Sequence, residues 1–335
     1  MFTVLFCAFY IIGGIVLKKL LQVIPIPISG LMLAFVTLGN LLFTLDQAVF
    51  GHISFLIGCI LFVLLLGKLV FAFSSVVQEM KNPIIASVSP TFTMGTLSLS
   101  NGLHFYEVNE SVIHTIWVMA AILQFIIILY FIKSFIWNKK VTMANIFPSW
   151  LIVFVGTAVM PLTAGDLSSR FTQGIVLFAM VAFIILVPII IVRGFIRKDL
   201  PEPTIPMLTI LSAPASLSLA SYFKQFDSTM AVVITLFVIA QVLFILVLTK
   251  LPSALKLSFY PSYAAFTFPL AITATATNAF IEFFAEQGTS YAWLTTYFYF
   301  QLTLAILMAL YVYIRYVNYL SIQYRQQRTT VSEKN

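Results

Sequence analysis

The chain has 335 residues, of which 61% are hydrophobic and only 9% charged, and its formal net charge is +7. A mean hydropathy of +1.04 excludes a soluble globular domain and identifies a polytopic membrane protein. The positive balance does not call for a nucleic-acid partner, because the basic residues sit in short loops between apolar runs, where they act as topology signals.

Residues 2–17 form an apolar run closed by Lys18 and Lys19. The run lacks the basic start and cleavage site of a signal peptide. Residues 1–24 are therefore expected to be an extra N-terminal apolar segment with a basic linker, separate from the core. Cys7 and Cys59 both lie in apolar runs, which implies neither a disulfide framework nor a metal site.

From Pro25 onward two kinds of segment alternate. Segments 27–42, 83–103, 148–164, 206–222 and 261–278 are rich in small and hydroxyl-bearing residues and are broken by proline. Segments 53–73, 112–132, 171–192, 230–248 and 291–313 are plainly oily. Each is near the ~20 residues that span a bilayer. The first kind opens on Pro27, Pro83, Pro148, Pro206 and Pro261, at intervals of 56, 65, 58 and 55 residues. A second proline (Pro90, Pro161, Pro214, Pro269) follows inside four of them. An opening proline is tolerated in the first turn, whereas an inner one is expected to bend a regular helix and free the carbonyl four residues earlier. Those carbonyls belong to Ala86, Thr157, Ile210 and Ala265.

The expected fold is an all-α polytopic membrane protein. Ten core transmembrane helices form five parallel helical hairpins around a central pore over 25–317, with a cytoplasmic tail at 318–335. The loops before the proline-rich segments, with the C-terminal tail, hold fifteen of the 18 Lys and Arg residues. The opposite loops hold Arg170 and Lys224 beside seven acids. This asymmetry puts the first set, and the C-terminus, in the cytoplasm. The remaining base, Lys68, is expected to snorkel to the interface.

A ring with its polar, proline-broken segments inward and its oily segments outward keeps unsatisfied groups away from hydrocarbon. The last polar segment, PSYAAFTFPLAITATATN at 261–278, shows the need best, with four threonines and Pro269 preceded by Phe268. None of the five inner spans carries an ionisable side chain between its ends. Their N-termini, positive ends of peptide dipoles, face the basic side, so anions are the ions least disfavoured. At ~1.5 Å per residue Phe268 falls about 15 Å deep in a ~30 Å core. From position alone it is either a constriction or one more packing aromatic. Sequence signatures of hydrolases, metalloproteases and nucleotide-binding enzymes are absent, so no enzyme and no cofactor is expected. His52, His104 and His114 fall near the outer side without an evident carboxylate partner, and read as interfacial side chains.

The pieces IPIPISGLMLAFVTLGNLL, NPIIASVSPTF, FPSWLIVFVGTAVMP, ILSAPASLSLASY and AAFTFPLA resemble the five inner helices of the tellurite-resistance/dicarboxylate transporter family. That family also contains the plant guard-cell slow anion channel and fungal sulfite and malate permeases. The resemblance spans roughly 25–315, with one motif in each repeat. It implies ten helices around a pore, a homotrimer with one pore per subunit, and a pore occluded by the phenylalanine of the F-P pair, here Phe268. Candidate pore-lining residues are Gly30, Pro90, Gly156, Pro161, Pro214, Thr267, Pro269 and Thr273. The implied partners are the bilayer of the plasma membrane and small anions, either inorganic or C4-dicarboxylates such as malate. A proton-coupled exporter of sulfite, tellurite-related or cationic toxic compounds is the competing reading.

Overall fold

The computed structural model describes residues 18–137 and 139–332, with side chains up to 326. The apolar run 2–17 lies outside the described residues. Residues 18–23 are helical, thirteen further α-helices follow from Ser29 on, linked by 3-10 and π segments, and no strand occurs among the described residues. In chain order the helices are α1 (Ser29–Thr44), α2 (Ala48–Phe71), α3 (Phe73–Glu79), α4 (Pro83–Val88), α5 (Pro90–Gly102), α6 (Glu110–Phe131), α7 (Trp150–Phe154), α8 (Val159–Leu162), α9 (Arg170–Ile191), α10 (Ala213–Gln225), α11 (Met230–Ala254), α12 (Phe268–Glu286) and α13 (Ala292–Ser332).

The oily segments form long continuous helices, α2, α6, α9, α11 and α13, whose i to i−4 ladder is interrupted only by Pro188 in α9 and Pro252 in α11, both in the last turn. Asn109 caps α6 by accepting the Ser111 N–H, and a reciprocal Ser169–Thr172 capping box starts α9. The inner segments behave differently. The first opens on a short 3-10 turn, Ile26–Ile28, and is regular from Ser29, whereas the other four are interrupted within the segment. The second breaks between α4 and α5. The third is α7, a 3-10 turn at Val155–Ala158, then α8. The fourth runs as 3-10 from Glu202 to Ser212 before α10. The fifth does the same over Pro261–Phe266 before α12. Eight helices among the described residues are long and apolar enough to cross a membrane, while the second and third inner segments are not single helices.

Proline therefore starts half-helices here instead of kinking whole ones. Pro90, Pro214 and Pro269 occupy the first turn of α5, α10 and α12, where a missing N–H is harmless. This corrects the expectation of bent regular helices. The carbonyls thought to be freed find local donors: Ala86 accepts the Ser89 hydroxyl at 2.9 Å, and Ile210 accepts the Ala213 N–H through 3-10 geometry.

The inner segments pack in a closed ring: first on second, second on third, third on fourth, fourth on fifth, and fifth back on first. Each outer helix packs on the inner segment of its own hairpin. In the spanning windows of α1, the fourth and the fifth inner segments, 89%, 94% and 72% of residues are buried, against 33–39% for the five outer helices. Phe50, Leu56, Met119, Ile184, Val242 and Leu307 are among the exposed apolar side chains, all on outer helices. That is the layering lipid requires. Close approach replaces the hydrophobic effect as the source of packing energy. A Cβ on Gly39 would lie 3.1 Å from the Phe55 backbone nitrogen, and the backbone of α2 could not yield.

Hydroxyl and amide side chains stitch every seam of the ring. Ser29 and Thr91 meet at 2.5 Å between the first and second segments, and Ser87 and Ser149 at 2.6 Å between the second and third. Gln225 donates to the Pro161 carbonyl at 2.8 Å across the next seam. Ser262 donates to the Pro203 carbonyl at 2.6 Å and Thr273 to that of Ser212 at 3.1 Å. Thr267 closes the ring on the Gly30 carbonyl at 3.2 Å.

Lys68 does not snorkel. It is 1% exposed, pairs with Glu79 and donates to the Ile24 carbonyl, while Glu79 accepts the Ile26 N–H at 3.0 Å. Helix α2 ends at Phe71, and the turn at Ala72 brings α3 and its carboxylate back beside the ammonium. Two of the three histidines have a carboxylate partner that was not expected: Glu110 lies 3.1 Å from His104 and 3.7 Å from His114, because α6 begins beside the turn that carries His104.

Lys68→Met strands a largely buried carboxylate and should destabilise the fold by about 3 kcal/mol, whereas Lys68→Met with Glu79→Leu should cost clearly less. Thermal unfolding in detergent compares the two; equal losses would mean that the carboxylate finds water or another donor once Lys68 is gone.

Candidate functional site

A cavity of about 40 Å³, measured as the space open to the centres of water molecules, lies at the centre of the ring. All five inner segments wall it. The first gives Pro27 and Gly30, and the second gives Val88, Thr91 and Met94. The third gives Leu151, Ile152, Val155 and Gly156, and the fourth Met207, Ile210, Ala213, Pro214 and Leu217. The fifth gives Ser262, Ala264, Ala265, Phe268 and Pro269. The wall coincides with the breaks described above. Where 3-10 backbone passes into α, the chain carries Gly, Ala and Pro, and the missing side-chain volume becomes the cavity.

Five of the nine sequence candidates, Gly30, Gly156, Pro214, Phe268 and Pro269, are brought together on this wall. Pro90, Pro161, Thr267 and Thr273 are not on it. Pro90 opens α5 behind Val88 and Thr91. Pro161 turns its carbonyl to Gln225. Thr267 spends its hydroxyl on Ala264 (2.7 Å) and Gly30, and Thr273 on Pro269 (2.8 Å) and Ser212. The seams absorb the hydroxyls expected in the pore.

Sequence reading missed Met94, Met207, Leu217, Leu151 and Ile152 because large apolar residues look like background in a membrane helix. Their spacing carries the signal: Ile210, Ala213, Pro214 and Leu217 recur at i, i+3, i+4 and i+7, one face of a helix.

Phe268 is the one aromatic side chain on the wall, and it is 7% exposed. It is the first residue of α12, and Thr267 before it has φ −106° and ψ −75°, outside regular helix geometry. Its ring is thus held at the junction of two helical forms. No ionisable side chain lines the cavity. The fixed electrostatics come from backbone: α5, α10 and α12 start beside it, each presenting the positive end of its peptide dipoles. At the basic mouth Tyr260 donates to Glu202 at 2.9 Å. That hydrogen bond, with some burial, raises the Tyr260 pKa above its ordinary value. Among the described residues no group of three or more His, Cys, Asp and Glu could hold a metal ion.

The only polar side chains on the wall are the hydroxyls of Thr91 and Ser262. The site is a small, uncharged cavity walled by all five inner segments of a closed ring. Comparison with curated protein sequences gives no match. A family model described as "Voltage-dependent anion channel" matches residues 21–314, which covers all five hairpins. The chain belongs to this voltage-dependent anion channel family and is a multi-pass membrane protein of anion channels and transporters.

Proposed function

We propose that the chain conducts small anions, inorganic ones or C4-dicarboxylates such as malate, through the central cavity of each subunit, and that Phe268 gates the passage. The observation that carries this reading is the place of Phe268, the lone aromatic on a wall contributed by all five inner segments. An apolar ring in a narrow pore blocks it both by its bulk and by expelling water. The half-helix N-termini around it favour negative charge without holding an ion as tightly as a lysine would. Free passage needs that combination, since a strongly bound ion does not leave.

The competing exporter reading needs a proton relay at membrane depth, and the cavity wall offers no ionisable group for one. The family's implied assembly, a homotrimer in the plasma membrane with one pore per subunit, completes the proposal. The lipid-facing apolar surface of the outer helices leaves room for subunit contacts outside the pore.

Reconstitution into liposomes tests the function directly. Chloride, nitrate, sulfite and malate are offered in turn, with and without a pH gradient. Anion flux that persists without the gradient is expected; flux that strictly requires it would favour the exporter. In the same assay Phe268→Ala should raise flux at least about tenfold, equal to ~1.4 kcal/mol off the barrier. Phe268→Leu should give a smaller rise because it keeps apolar bulk. A folded alanine variant with unchanged flux would place the constriction elsewhere.

The charge asymmetry also sets orientation, with the basic loops and the C-terminus in the cytoplasm. Single cysteines replacing Lys139 and Lys198 should resist an impermeant maleimide applied to intact cells and react once the membrane is opened. Efficient labelling from outside would invert the topology.

A further inference from the structure

One contact recurs through the repeats at the basic mouth. In four hairpins a long polar side chain near the basic end of the outer helix donates to a backbone carbonyl where that hairpin's inner segment begins. Lys68 reaches Ile24, Tyr130 reaches Met80 at 3.1 Å, Arg193 reaches Ile146 at 2.6 Å, and Tyr316 reaches Pro261. The chemistry differs each time, but the place in the hairpin is the same. The fourth entry is held by the fifth hairpin instead, through Ser262 on the Pro203 carbonyl and Tyr260 on Glu202. The Tyr316 clasp therefore secures two entries at once.

The fifth clasp also has a distinct target. Pro261 opens the 3-10 turn Pro261–Phe266, and Phe268 follows it by seven residues, about 14 Å of 3-10 rise. Tyr263 and Phe266 within that turn are fully buried, so it moves as a rod more readily than it bends. At its far end Thr267 holds Gly30, a wall residue of the first segment. Tyr316 is itself 1% exposed, with its ring edge-on to Phe259 at 5.2 Å. Its hydroxyl thus ties the outer helix to the turn that leads into α12, whose first residue is the wall's aromatic one.

We infer that Tyr316 is a positioning residue for conduction: by clasping Pro261 it sets the place of the turn that leads to Phe268, and so holds the closed pore. This rests on the reading of Phe268 as the gate. Tyr316→Phe removes one hydroxyl and keeps the ring, so packing survives. One hydrogen bond lost from the closed state should raise anion flux about two- to tenfold.

The experiment is a double-mutant cycle in liposomes, with monodisperse yield and thermal midpoint as folding controls. Tyr316→Phe should raise flux in the wild-type background and add nothing once Phe268→Ala is present. Tyr130→Phe, the same chemical change at the equivalent place of a hairpin without Phe268, should leave flux unchanged. Three results overturn the inference: unchanged flux in Tyr316→Phe while Phe268→Ala raises it, an equal gain in both backgrounds, or a matching gain from Tyr130→Phe. Phe268→Ala without effect would refute the gate reading itself, and the assignment of Tyr316 with it.

Discussion

Hydrocarbon offers no hydrogen bonds, and this constraint shapes every level of the structure. Each polar group placed at membrane depth must meet a partner inside the protein, at a penalty of several kcal/mol if it does not. The chain answers by separating two tasks. Its outer helices satisfy their backbone internally and present apolar side chains to lipid. Its inner segments break their own ladders and pass the resulting demand to their neighbours. A broken segment such as α4–α5 or α7–α8 is not stable alone in lipid. It is stable in a ring, where Ser87 meets Ser149 and Gln225 meets the Pro161 carbonyl. Closure of the ring is thus what lets the individual helices be irregular.

Irregularity in turn makes the cavity. A continuous α-helix carrying ordinary side chains would fill the centre of a five-membered ring. The shift from 3-10 to α at Ser212–Ala213 and at Phe266–Phe268 moves the backbone aside, and Gly30, Gly156, Ala213 and Ala265 leave the space unfilled. The same breaks turn helix N-termini toward that space, so an uncharged wall still carries a mild preference of sign.

Much of this was legible in the sequence. The alternation of small, hydroxyl-bearing segments with oily ones, the proline intervals and the basic loops foretold the ring, its layering and the hairpin order. Gly30, Gly156, Pro214, Phe268 and Pro269 were readable as a set because each sits at the corresponding break of its repeat. Two kinds of fact were not. Whether a threonine faces a pore or a neighbour depends on helix rotation, and 3-10 turns change rotation by about 20° per residue relative to α. Thr267 and Thr273 therefore ended in seams. Nor could Lys68 be read as buried, because its carboxylate lies eleven residues on, past a helix break at Ala72 that composition does not reveal.

Polarity within a membrane segment is accordingly a poor guide to what faces the pore. Several of the hydroxyls that first suggested a polar channel hold segments together, others bond carbonyls of their own helix, and the wall is apolar apart from Thr91 and Ser262. Even these two are engaged, Thr91 with Ser29 and Ser262 with Pro203. A pore lined by free hydroxyls would bind its ion and would give each inner segment a second, competing partner for every stitch. By spending hydroxyls on seams, the ring gains a fixed register, and the cavity keeps an apolar surface with Phe268 as its one aromatic side chain. The groups that stitch the seams and the side chains that line the cavity are thus largely different atoms of the same segments.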